Sequence, residues 1–176
     1  MQPTQPKMKM ERVYIGLGSN LCDPVSQVMT VISEIALLKD TQMTAQSSLY
    51  RSPPWGGLEQ PDYINAVVQV CTTLSPLALL EDLLQIENNH KRVRDKKWGP
   101  RTLDCDILLF GKKQIKLPNL EIPHPRLCER AFVVIPLSQI APDLILPDGT
   151  TLKACVNSLG RYSLTELTEL EMEPIA

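Results

Sequence analysis

Asp104 and Asp106 flank Cys105, precede the apolar run Ile107-Leu108-Leu109-Phe110 and follow a cationic stretch over residues 91–101. On a strand alternate residues share a face, so the two carboxylates point one way while Leu103, Cys105 and Ile107 point the other. Neighbouring carboxylates repel and are costly to bury, and a hard divalent cation relieves both problems. Magnesium takes one or two carboxylates and fills its octahedron with phosphate oxygens and water, so two aspartates suffice. Asp is depleted from strands, which sets this pair apart from a bare D-x-D. Six of the 18 Lys and Arg residues (Lys91, Arg92, Arg94, Lys96, Lys97 and Arg101) lie just upstream. Such a local cluster suits a small, highly anionic partner, and Arg92, Arg94 and Arg101 offer planar forks for phosphate. Metal plus nucleotide is the chemistry these residues suggest.

Other residues are compatible with that chemistry. A loop over 90–101 that closes on a nucleotide would exclude water and position the transferred group. Trp98, beside Gly99-Pro100, fits either a lid residue packing on substrate or a loop anchor in the core. His124 stands between Pro123 and Pro125, with Arg126, Arg130 and Phe132 close behind. The prolines fix its direction, and both a structural role and a phosphate-binding role remain open. His90 reads as a solvated helix end. Gly16-Leu17-Gly18 lacks the third glycine of a dinucleotide fingerprint and no Gly-Lys-Ser/Thr loop exists, so the turn at 16–21 reads as structural. Without a P-loop, phosphates fall to arginines and metal.

These groups need elements to hold them. Residues 12–18 alternate Val13, Ile15, Leu17 and break at Gly18-Ser19-Asn20, a strand entering a turn. Asp23-Pro24 starts a helix over 24–38, with Val25, Val28, Met29, Ile32, Ile35 and Ala36 at the 3.6 period. Residues 41–51 are extended, and Ser52-Pro53-Pro54-Trp55-Gly56-Gly57 is a loop. Residues 63–73 alternate again, with Tyr63, Asn65, Val67 and Gln69 on one face. Ser75-Pro76 starts a second amphipathic helix reaching about Asn89, and 103–110 forms a fourth strand. Strand–helix–strand–strand–helix–strand is the split βαβ order of a ferredoxin-like α+β domain, two helices on one face of an antiparallel sheet. Beyond Gly111 lies a Pro-punctuated extension with a helix at 131–140 and an Asp148-Gly149 turn.

The 176 residues suit one compact domain, read as a polar leader over 1–10, a domain over 11–162 and an acidic tail over 163–176 with a short helical turn. A net charge of −2 favours neither nucleic acid nor a membrane surface. No apolar h-region opens the chain and no apolar run nears membrane-spanning length, which points to a cytoplasmic protein. Cysteines 22, 71, 105, 128 and 155 are odd in number and scattered, an argument against a disulfide framework or zinc site and for a reducing compartment. None has the setting of a nucleophile.

Lys97-Trp98-Gly99-Pro100-Arg101-Thr102-Leu103-Asp104-Cys105-Asp106-Ile107-Leu108 resembles the signature of the 6-hydroxymethyl-7,8-dihydropterin pyrophosphokinase family. The resemblance spans roughly 12–160 and includes Tyr14-Ile15-Gly16-Leu17-Gly18-Ser19-Asn20-Leu21, Tyr50-Arg51-Ser52-Pro53-Pro54, Gln60-Pro61-Asp62-Tyr63-Ile64-Asn65-Ala66, Arg92-Val93-Arg94, Pro123-His124-Pro125 and Ile140-Ala141-Pro142-Asp143-Leu144. It implies a ferredoxin-like core with extra C-terminal helices and strands, and transfer of pyrophosphate from ATP to the pterin hydroxymethyl group with release of AMP. By the same resemblance Asp104 and Asp106 bind two Mg2+ ions, and Arg92 and Arg101 are catalytic. Arg94, Trp98, His124 and Arg130 would contact ATP. Asn65 would hydrogen-bond the pterin edge, Tyr63 and Phe132 would stack on its rings, and Ser52, Pro53, Trp55 and Gly56 would form the pterin loop. Cys105 stands where an aliphatic residue is usual, Trp55 where a smaller one is, and Asn119 where a phosphate-binding arginine is expected. The segment between Arg94 and Trp98 is one residue shorter than the family pattern. The expected state is a monomer.

Two other classes compete. An RNA-binding module shares this strand order but needs aromatic residues on its central strands, which 13–18 and 67–73 lack. A D-x-D glycosyltransferase needs a larger doubly wound domain than 176 residues comfortably hold.

Overall fold

The computed structural model describes residues 9–54, 59–90 and 102–172. Its core elements are β1 (Glu11–Ser19), α1 (Pro24–Ala36), β2 (Thr41–Gln46), β3 (Tyr50–Ser52), β4 (Tyr63–Thr72), α2 (Pro76–Asn89) and β5 (Asp104–Phe110). Every pairing is antiparallel, and the sheet runs β5-β1-β4-β3, with β2 also on β4. Counting β2 and β3 as one interrupted strand, the order is fourth, first, third, second, the arrangement expected of the ferredoxin-like core. Both helix starts form as their residue types dictate. Asp23 accepts from Ser26 N–H and Ser75 Oγ from Ala78 N–H, each ahead of a proline in the first turn.

The segment 41–51 is not one strand. Ser47 replaces a ladder partner with its own side chain: its N–H donates to Val67 O, and its Oγ accepts from Val67 N–H, both at 2.9 Å. The hydroxyl satisfies β4 without regular pairing, and β3 starts afresh at Tyr50.

The sheet separates two apolar layers. Val13, Ile15, Leu17, Ala66, Val68, Val70, Cys105 and Ile107 face α1 and α2, meeting Val28, Ile35, Leu79 and Leu83. Tyr14, Val67, Leu108 and Leu109 face the opposite way, onto α3 (Ala131–Ile140) and α4 (Leu152–Ser158). Leu108 and Leu109 are neighbours in sequence yet share a layer, because the β1–β5 register shifts between Tyr14 and Ile15. α3 and α4 cover this second face at one end of the sheet. A cleft remains over the other end.

Between β5 and α3 run the hairpin β6 (Ile115–Leu117) and β7 (Leu120–Ile122) and a 3₁₀ turn, Leu127–Glu129. The hairpin has too few residues to show a period, so it read as irregular. After α4 come β8 (Thr165–Glu166), paired to β3, and the single-turn helix α5 (Glu169–Met172). Cys128 and Cys155 are joined as a disulfide, correcting the expectation of none; the 3₁₀ turn packs against α4 and sets their Cα atoms 5.0 Å apart. Their 27-residue separation carried no signal. Cys22, Cys71 and Cys105 form no disulfide.

Candidate active site

The register of the sheet builds the site. Gly18 of β1 pairs with Asp104 on one side and Asn65 on the other, and Asn65 pairs in turn with Tyr50. Gly16 likewise lies between Asp106 and Val67. Directly opposed residues share a face, so the two aspartates and Asn65 stand on the same side with bare glycine between them. Two strand spacings separate the Asp104 row from the Asn65 row by ~10 Å. A Cβ on Gly18 would lie 3.4 Å from Asn65 Oδ1, and one on Gly16 would lie 3.3 Å from Leu108 Cδ2. The glycines thus form a floor that lets a ligand reach the backbone. Both glycines lie inside β1, as the alternation over 12–18 predicts, so the turn starts after Ser19 and not at Gly16.

A cleft of about 630 Å³ opens over this floor. Ser52, Pro53, Tyr63, Asn65, Asp104, Asp106, His124, Arg130 and Phe132 all line it, gathering every candidate site residue that falls within the described segments. Trp55, Gly56, Arg92, Arg94, Trp98 and Arg101 lie outside the described residues. Pro118 and Asn119, at the turn of the β6–β7 hairpin, also line the cleft.

At the carboxylate end, β5 is the edge strand, and its outer edge is used twice. Leu108 O accepts His124 N–H at 2.9 Å, and Cys105 N–H donates to Glu87 Oε1 at 2.8 Å. The first bond places His124 beside Asp106, with Nε2 3.8 Å from Asp106 Oδ2. Arg126 N–H donates to His124 Nδ1 at 3.1 Å, so the neutral ring carries its proton on Nε2, towards the aspartates. Burial, reinforced by Arg130, pulls the His124 pKa from 6.5 down to about 4, against the opposing carboxylates of Asp104 and Glu121. At neutral pH the imidazole is therefore uncharged and a donor at Nε2.

Arg130 is part-buried, its Cζ 5.7 Å from the centre of the Phe132 ring. Burial pushes its pKa below the usual value while Asp106 pulls the other way. Its buried Nε has no hydrogen-bond partner among the described residues. A buried donor left open beside two carboxylates fits a ligand acceptor.

At the other end, Asn65 is 4% exposed. Its Nδ2 donates to Ser52 Oγ at 2.9 Å and reaches Tyr50 O at 3.4 Å, locking the amide plane. Tyr63, two residues earlier on the same face, leaves an aromatic ring beside it.

Glu87 joins the lining, and His90 lies away from it. Glu87 is 2% exposed on α2 and lines the cleft with Leu80 and Leu84. The signal was a carboxylate at the apolar period of Leu79, Leu83 and Ile86. His90 is not a solvated helix end: its side chain is 11% exposed, with Nε2 2.9 Å from Glu34 Oε2 and Nδ1 against Gln27 Oε1. Both helices lie on one sheet face, which brings the end of α2 against α1.

Among the described residues no cluster of three or more His, Cys, Asp or Glu forms a closed metal cage. The donor set at Asp104 and Asp106 is the open, two-carboxylate kind, flanked by a neutral imidazole N–H and a guanidinium. Carboxylates of the kind that suit a cation therefore lie beside donors of the kind that suit an anion.

The comparisons narrow this class. The family profile 7,8-dihydro-6-hydroxymethylpterin-pyrophosphokinase (HPPK) matches residues 14–142. The 2-amino-4-hydroxy-6-hydroxymethyldihydropteridine pyrophosphokinase of Pseudomonas aeruginosa is 49% identical over 140 residues, covering 80% of this chain and 86% of the relative. That of Haemophilus influenzae is 44% identical over 158 residues, covering 90% and 99%. The chain belongs to the HPPK family. Among solved structures, wild-type Plasmodium falciparum HPPK-DHPS with pterin and p-hydroxybenzoate aligns with a TM-score of 0.66 at 17% identity over 85% of this chain. This chain spans 43% of that longer one, and the likeness bears on the fold.

Proposed function

We infer that this chain is a 2-amino-4-hydroxy-6-hydroxymethyldihydropteridine pyrophosphokinase, moving pyrophosphate from ATP to the hydroxymethyl group of 6-hydroxymethyl-7,8-dihydropterin in folate biosynthesis. The observation that carries the reading is the Asp104–Gly18–Asn65 row: an anion-and-metal end and a ring-edge end on one glycine floor, inside a chain of this family.

Asp104 and Asp106 would hold Mg2+, two ions with ATP. Bound there, the metal supplies positive charge that neutralises and aligns the triphosphate. The half-exposed carboxylates and the adjacent donors fit it, since magnesium needs one or two protein carboxylates and completes its shell from phosphate and water. His124 donates from Nε2 and Arg130 from its open Nε to phosphate oxygens. Asn65, with its plane fixed by Ser52, addresses the amide-like edge of the pterin, while Tyr63 and Phe132 cover the ring faces. Ser52, Pro53, Trp55 and Gly56 shape the pterin loop. Arg92 and Arg101 take the developing charge on the transferred group, with Arg94 and Trp98 on ATP. The hydroxyl oxygen attacks the β-phosphorus, the bond from that phosphorus to the bridging oxygen breaks, AMP leaves with the oxygen, and the hydroxyl proton is released. His124 is no base for that proton, because Nδ1 already accepts from Arg126 and Nε2 already bears hydrogen.

In this reading the substrates are ATP and the pterin, and the protein works as a cytoplasmic monomer without nucleic acid or membrane. No described helix is long and apolar enough to cross a membrane. Thermal unfolding with each candidate ligand tests the reading. A non-hydrolysable ATP analogue with magnesium and pterin, at ~100 times the dissociation constant, adds about 2.7 kcal/mol and several degrees to Tm. Stabilisation by an oligonucleotide or a sugar nucleotide in its place would overturn it.

A further inference from the structure

The segment after α4 lies beyond the family match at 14–142, yet it is built into the sheet beside the cleft. β3 has three residues, and β4 pairs one of its edges. The other edge is paired by β8: Tyr50 opposes Glu166, Arg51 opposes Thr165, and Leu167 N–H donates to Leu49 O at 2.8 Å. Leu167 is 5% exposed and packs into the core layer that contains Leu49. Thr168 N–H and Oγ1 both donate to Glu171 Oε2, starting α5, and Glu171 Oε1 lies 3.9 Å from Arg51 Nη2. The tail therefore grips Leu49 and the first two residues of β3, Tyr50 and Arg51.

β3 in turn holds Asn65, through Ser52 Oγ and Tyr50 O. A three-residue strand on one partner would fray, and its last residue, Ser52, is the one that orients the amide. We propose that Thr165–Met172 is a positioning strap for the Asn65 end of the cleft, setting pterin affinity from outside the site. None of Thr165–Met172 lines the cleft, and the segment reaches Asn65 by way of β3. Gln139 of α3 separately holds Ser48 N–H at 2.8 Å and the Tyr50 hydroxyl at 3.2 Å. Loss of the strap thus strips the outer edge of β3 at Tyr50 and Arg51, leaving Gln139 to hold Ser48 and Tyr50 and β4 alone to hold Ser52. The proposal rests on the pterin reading of that end.

The test compares the full chain, a chain ending at residue 162, and Leu167→Ala, by pterin fluorescence titration, by steady-state kinetics and by amide exchange. Ordering one short strand governs the difference, so the pterin dissociation constant and KM rise about tenfold on truncation and a few-fold in Leu167→Ala, while KM for ATP stays within about twofold. Amide exchange at Ser52 and Asn65 quickens in step. Equal rises in both KM values, or neither moving, would overturn the strap. If the truncated chain does not fold, Leu167→Ala carries the same comparison. A full chain that fails to bind pterin at all strikes the functional reading instead.

Discussion

His124 offers a perturbation whose size follows from its surroundings. Its ring is 19% exposed, accepts from Arg126 N–H and lies near the Arg130 cation, and its pKa falls from 6.5 to about 4. The folded value is below the unfolded one, so between these pH values the unfolded chain binds more protons and stability rises with pH. At about 1.4 kcal/mol per pH unit, the gap corresponds to roughly 3 kcal/mol, present above pH 6.5 and lost as pH falls towards 4. The chain has two histidines, so proton NMR of the metal-free and nucleotide-free protein reads each ring directly, with His90→Gln assigning the pair. Urea unfolding of wild type and His124→Gln across pH 7.5 to 4.5 then gives the linked energy; the wild type loses stability over this window more steeply than the variant. A His124 ring titrating at 6.5 or higher, or parallel pH slopes for the two proteins, would refute the reasoning.

Three further outcomes test the proposed site. Asp106→Ala folds normally, because the carboxylate is half-exposed, yet loses turnover by about 10³-fold or more; wild-type activity in the purified variant contradicts the metal assignment. Arg101→Ala lowers kcat by about 10³-fold while nucleotide affinity drops less than about tenfold, and equal losses in rate and binding would assign it to ground-state binding instead. Gly18→Ala keeps or slightly raises the melting temperature, since its Cβ meets Asn65 Oδ1 at an ordinary 3.4 Å. The added methyl rises into the slot and weakens pterin binding by about 1–3 kcal/mol; intact pterin affinity by fluorescence titration would show that the glycine floor is not the ring's seat.

Much of this arrangement was legible because it follows period two. Asp104 with Asp106, and Tyr63 with Asn65, share a face by alternation alone, and Asp23-Pro24 and Ser75-Pro76 mark helix starts by their chemistry. The meeting of those strands was not local information: the glycine floor exists because β1 lies between β5 and β4, and nothing in Gly16-Leu17-Gly18 itself names those neighbours. Glu87 was hidden for a related reason, since its partner is a backbone N–H 18 residues away on an edge strand. His90 looked solvated because its partners belong to α1, 56 and 63 residues earlier. β8 has two residues and no pattern, so only its pairing with β3 reveals it. Cys128 and Cys155 meet through the packing of a turn and a helix, which spacing does not encode.

Nucleotide product analysis tests pyrophosphoryl transfer across the Asp104–Asn65 row most directly. Purified protein with ATP and magnesium, with and without 6-hydroxymethyl-7,8-dihydropterin, should form AMP only when the pterin is present, one AMP for each pyrophosphorylated pterin. ADP in its place would put attack at the γ-phosphorus, and no nucleotide turnover with the pterin would contradict the account altogether.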